Sequence, residues 1–94
     1  MSATILIVDD EDHARQFITS FLHSLDYETI DAATMEEARQ HIRKGKGDII
    51  LLDVNLPDGY GPDLLEETAN MALRPPIILI TGEGDIDMAV EAMK

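Results

Sequence analysis

Ile5-Leu6-Ile7-Val8-Asp9-Asp10 is four aliphatic residues running without a break into two aspartates. An uninterrupted aliphatic run marks a strand covered on both faces, because neither side of it faces water. The same arrangement recurs in Ile49-Ile50-Leu51-Leu52-Asp53, and Ile77-Ile78-Leu79-Ile80 runs into Thr81. If these strands are parallel neighbours, their carboxyl ends meet at one edge of the sheet, where open α/β folds bind ligands. Three carboxylates and a hydroxyl would then share one crevice, which suggests a magnesium-dependent phosphorylation site.

Between these runs the periodicity changes from continuous to helical. Ala14, Phe17, Ile18, Phe21, Leu22 and Leu25 recur at offsets of three and four, predicting a helix from about Asp12 to Leu25 with one apolar stripe. Tyr27-Glu28-Thr29-Ile30 reads as a weaker, edge-like strand. Thr34 starts a second helix, with Glu37 completing a capping box and Gly45 and Gly47 ending it. Asn55 to Gly61 reads as a turn-rich loop. Pro62 suits the first turn of a third helix, whose inner face would be Leu64, Leu65, Thr68, Ala69 and Ala72. Pro75-Pro76 breaks it, and after Gly82-Glu83-Gly84 the residues Ile86, Ala89, Val90 and Met93 begin a fourth helix. Strand and helix alternate throughout, so a parallel sheet with right-handed crossovers and helices on both faces is expected.

Ninety-four residues allow one small domain and no second core. Nineteen acidic residues against seven basic ones give a net charge of −12, which argues against nucleic acid or an anionic membrane surface as a direct partner. Most of that excess is a solvated surface that keeps the domain soluble; part of it favours a divalent cation. The chain has no cysteine, which excludes a disulfide framework and thiolate metal sites. No stretch has the length of a membrane span, and Met1-Ser2-Ala3-Thr4 has no basic region of a signal peptide. A cytoplasmic location is expected.

Acids after a strand are often no more than partners of a helix N-terminus, and Asp9-Asp10-Glu11-Asp12 could be only that. Their coincidence with Asp53 on a neighbouring strand points further. Clustered carboxylates raise one another's pKa unless a cation sits among them, and magnesium accepts oxygen ligands while keeping several waters. One carboxylate is then left to act as a nucleophile, since aspartate can form an acyl phosphate. The three histidines, His13, His23 and His41, have no metal-site spacing and read as solvated helix residues. A hydrolase or ATPase could also end a strand in a metal-binding aspartate, but the phosphate loop with its lysine is missing.

The segments Ile5–Glu11, Leu51-Leu52-Asp53-Val54-Asn55-Leu56-Pro57-Asp58-Gly59 and Ile78-Leu79-Ile80-Thr81-Gly82 resemble the receiver domain of two-component response regulators. The resemblance covers essentially the whole chain, and the stretch from Thr81 to Lys94 looks most like receivers of transcriptional regulators. It implies a flavodoxin-like doubly wound sheet of strand order 2-1-3-4, with Asp53 as phosphoacceptor from a sensor histidine kinase. It also implies Mg²⁺ bound by Asp9, Asp10, Asp53 and the Asn55 backbone carbonyl, and Thr81 as the hydroxyl that senses the phosphoryl group. Asn55 and Glu83 would tune dephosphorylation, Pro57 and Gly59 would shape the loop carrying Asn55, and an output domain would receive the signal.

Receivers normally continue into a fifth strand bearing a lysine and a fifth helix, whereas residues 1–94 reach only into the fourth helix. The expectation is therefore a receiver truncated there, with an open edge on its fourth strand that could pair with a second copy. The competing reading is an interaction module in which the acids are vestigial and phosphorylation does not occur.

Overall fold

The structure, a computed structural model, describes residues 3–80. Thr81, Glu83 and the expected fourth helix lie outside the described residues.

Four strands form a parallel sheet: β1 (Thr4–Val8), β2 (Glu28–Ala32), β3 (Ile49–Asp53) and β6 (Ile77–Ile80). Their spatial order is β2-β1-β3-β6, which is the 2-1-3-4 order expected, with β6 as the fourth strand of the sheet. The register aligns Val8 with Leu52 and Asp53 with Ile80, so the carboxyl ends of β1, β3 and β6 finish side by side. Two antiparallel strands of two residues each, β4 (Asn55–Leu56) and β5 (Gly59–Tyr60), lie apart from the sheet. They make a small hairpin of what reads in the sequence as a loop.

Alternation along the strands divides the core in two. Leu6, Val8, Ile50 and Leu52 point toward helix α2 (Met35–Arg43) and helix α3 (Asp63–Glu67), packing with Met35, Ala38, Ile42, Leu56 and Leu64. Ile5, Ile7, Leu51 and Ile80 point the other way, packing with Ile18 and Leu22 of helix α1 (Asp12–Ser24). The runs of β1 and β3 are therefore covered from both sides, which is why they hold no polar residue before Asp9 and Asp53, whereas β6, at the edge of the order β2-β1-β3-β6, leaves Leu79 39% exposed and Ile77 and Ile78 half-buried.

Two helices differ from expectation. On α1, Ile18 and Leu22 are buried, but Phe17 is 49% and Leu25 42% exposed. The seam is narrower than the stripe: Ile18 and Leu22, at i and i+4, lie on the line of contact with the sheet, Phe21 packs half-buried beside them, and Phe17 falls on the flank. The third helix is short. It stops at Glu67, so Leu64 and Thr68 are buried while Ala69 and Ala72 are exposed. Thr68 ends it by turning its hydroxyl back to the Leu64 carbonyl at 2.6 Å, a local bond that competes with the helix ladder.

Both longer helices close with a Schellman motif. At the end of α2, Gly45 adopts φ 70°, with Gly45 N–H donating to Ile42 O and Lys46 N–H to His41 O. At the end of α1 the equivalent left-handed position is Asp26, at φ 68°, with Asp26 N–H donating to His23 O and Tyr27 N–H to Leu22 O. An aspartate there carries a Cβ penalty and places negative charge at the negative end of the helix dipole. Asp26→Gly should therefore stabilise the domain by about 1 kcal/mol, less what the freer unfolded chain takes back. The check is a higher urea midpoint at unchanged slope; a lower midpoint would refute it.

Candidate metal and phosphorylation site

The acid run after β1 divides its labour. Glu11 is the N-cap of α1, accepting the His13 N–H at 3.2 Å and the Ala14 N–H at 2.6 Å. Asp12 lies in the first turn and binds the Arg15 guanidinium at 2.6 Å. The helix-terminus role thus belongs to Glu11 and Asp12, leaving Asp9 and Asp10 free of it.

Those two meet Asp53. One carboxylate oxygen from each of Asp9, Asp10 and Asp53 lies within 4.8 Å of the others, a group able to hold a metal ion. Asp9 is 7% exposed, Asp10 is exposed and Asp53 half-buried. Asp9 is fixed in place: its N–H donates to Ala32 O at 3.0 Å and its Oδ1 accepts the Glu11 N–H at 2.9 Å. Burial raises the Asp9 pKa above its ordinary value; the Glu11 N–H opposes this, and the charges of Asp53, Asp10 and Glu11 add to the rise. Three acids held this close, one of them buried, form an arrangement that a cation relieves.

The donors suit a hard divalent ion. They are all carboxylate oxygens, they are close enough to share one ion, and the exposed side at Asp10 leaves room for water and a phosphoryl oxygen. Asn55, exposed, begins β4 two residues after Asp53. His13 is exposed and belongs to no metal-capable group among the described residues.

Three residues that position the site carry no motif of their own. Arg15 donates to the Asp9 carbonyl oxygen at 2.6 Å and faces Asp31 at 3.6 Å, strapping the turn after β1 from behind. Its position three residues after Asp12 is the only hint of this in the sequence. Gly61 lets two backbones touch: a Cβ there would overlap the Asp53 carbonyl oxygen, and its N–H donates to Val54 O at 2.6 Å. Gly59, which the sequence reading singles out, faces only the Met35 side chain. The third is Asp58, whose carboxylate accepts the N–H groups of Met35 at 2.8 Å and Glu36 at 3.1 Å. Those bonds hold the Asp58 carboxyl below the usual carboxylate range, the Met35 bond contributing most.

Fold and site together define a doubly wound α/β domain with a three-carboxylate cluster at its carboxyl edge that could hold a cation. The chain belongs to the response regulator receiver domain family, whose model matches residues 5–94. It is 35% identical over 89 residues to the response regulator protein PilR of Pseudomonas aeruginosa, covering 95% of this chain and 20% of that protein. It is 34% identical over 95 residues to the transcriptional regulatory protein FixJ of Rhizobium meliloti, covering 97% of this chain and 45% of the relative. The chain thus spans less than half the length of either. Among solved structures, a candidate response regulator from Chloroflexus aurantiacus J-10-fl aligns with a TM-score of 0.82 at 34% identity, covering 99% of this chain and 78% of that one. Among the described residues no helix is long and apolar enough to cross a membrane.

Proposed function

We propose that this receiver domain accepts a phosphoryl group on Asp53 from the phosphohistidine of a sensor kinase and passes the resulting change to an output domain in the cytoplasm. The observation that carries this is the convergence of Asp9, Asp10 and Asp53 within 4.8 Å at the carboxyl edge of the sheet. Asp9, Asp10, Asp53 and the Asn55 carbonyl would hold Mg²⁺, which when bound offsets the negative charge gathered on the transferred group.

The work of the chain's own residues follows from their surroundings. An Asp53 carboxylate oxygen attacks phosphorus; the phosphorus–nitrogen bond breaks, and the imidazole nitrogen leaves with the electron pair and takes a proton. Half-burial limits the water that reaches the resulting acyl phosphate. Thr81 would then donate its hydroxyl to a phosphoryl oxygen and draw its loop inward, biasing a two-state surface. Asn55 and Glu83 would orient the water that ends the signal.

Incubation with acetyl phosphate and Mg²⁺ should add the mass of one phosphoryl group to the intact protein, and Asp53→Ala should add none. Decay of that species should slow when Asn55 and Glu83 are changed to lysine. No mass gain in the wild type, or equal gain in Asp53→Ala, would sink the assignment.

A further inference from the structure

The tip of the loop after Asp53 is held from outside rather than by its own turn geometry. β4 and β5 are joined by Pro57-Asp58, neither of which has positive φ. The hairpin therefore lacks the primed turn whose twist matches paired strands, and a ribbon this short has little stability alone. Its tip is fastened to α2 instead. Asp58 takes the N–H groups of Met35 and Glu36, Gly59 packs on the Met35 sulfur, and Leu56 is buried in the same core cluster as Met35. Its base is closed by the hairpin's own rung, from Gly61 N–H to Val54 O. Asn55 lies between these two attachments.

The α2 terminus shows how the work is shared. A helix start leaves its first N–H groups without internal partners. Thr34 Oγ1 takes the Glu37 N–H at 3.1 Å, an ordinary local cap. The two preceding N–H groups, those of Met35 and Glu36, go to a carboxylate that arrives from the loop of the acid cluster.

We propose that Asp58 is a positioning residue for the cation site: by tying the hairpin tip to the first turn of α2, it fixes Asn55 at the rim of the acid cluster. The inference rests on the reading of the Asn55 carbonyl as a ligand. By linkage, whatever the hairpin does for the cation, the cation does for the hairpin and α2.

The experiment compares Asp58→Ala with Thr34→Ala in the full chain, measuring Mg²⁺ affinity by calorimetric titration and stability in urea. Both remove an α2 cap and both should lower stability, but only Asp58→Ala frees the hairpin. Its Mg²⁺ affinity should fall roughly tenfold, the lower end for residues that orient ligands, while Thr34→Ala binds like the wild type. Wild-type affinity in Asp58→Ala, or an equal loss in Thr34→Ala, overturns the inference alone. A wild type that binds no Mg²⁺ overturns the acid-cluster assignment and the inference with it. Should Asp58→Ala fail to fold, amide exchange in the wild type decides. Mg²⁺ should slow exchange at Met35 and Glu36 and not at Gly45 and Lys46, and no slowing at the first pair overturns the inference.

Discussion

Asp9→Asn and Asp10→Asn should each raise the melting temperature in EDTA and remove the stabilisation that Mg²⁺ gives the wild type. The reason is the cost of the empty cluster. Burial and the facing charges of Asp53 and Asp10 raise the Asp9 pKa, so between the unfolded and folded values the folded protein holds a proton that the unfolded chain has released. Stability contributed by this group is therefore greatest below the unfolded value of 3.8 and falls as pH rises toward the higher folded value. Above that it stays low unless a cation intervenes. Asparagine keeps an oxygen for the Glu11 N–H while removing the charge. The stability difference between Asp9→Asn and wild type in EDTA should thus grow with pH across that window and then level off.

Mg²⁺ reverses the ranking. A ligand at 100 times its dissociation constant adds about 2.7 kcal/mol to the folded state. For a domain of this size that corresponds to roughly 10–20 °C in melting temperature. The wild type should gain that increment and the two asparagine variants should not. Melting curves at several pH values, with EDTA and with saturating Mg²⁺, carry both arms. A wild type that melts at the same temperature in both, or variants less stable than wild type in EDTA, would contradict the assignment.

How much of this is visible in the sequence depends on how local the signal is. Ile5–Val8 and Ile49–Leu52 declare two-sided burial in four residues each, and Asp9 and Asp53 declare the edge by following them directly. Strand order then places Asp9, Asp10 and Asp53 together without further information. The resemblance rests on those same positions, and the match over residues 5–94 agrees with it. Contacts between distant segments are another matter. Asp58 is 23 residues from Met35, and nothing in Pro57-Asp58-Gly59 distinguishes a turn aspartate from a cap for another helix. The exposed Phe17 and Ala72 show the same limit, since periodicity gives a helix its apolar side but tertiary packing decides how much of that side is covered.

Gly61 is the sharpest case of a residue whose importance lies in what it approaches. Its missing side chain lets the segment after β5 pass against the Asp53 carbonyl, and the Gly61 N–H closes on Val54 O at 2.6 Å. Gly61→Ala would set a Cβ against the backbone oxygens of Asp53, the last residue of β3, and of Val54, which follows it, and backbone there cannot step aside as a side chain can. Gly59→Ala meets only the Met35 side chain, with Sδ at 2.5 Å, and although Met35 is buried its thioether end can re-pack where backbone cannot. Gly61→Ala should therefore cost about 2–4 kcal/mol, at the upper end for overpacking, and Gly59→Ala at most about 1 kcal/mol. Because the collision is with Asp53 itself, the molecules of Gly61→Ala that remain folded should also phosphorylate more slowly from acetyl phosphate. Urea denaturation ranks the two stabilities, and intact mass against time ranks the two reactivities. If Gly59→Ala proved the more damaging on both, the tether to Met35, rather than the approach at Asp53, would be the contact that shapes this loop.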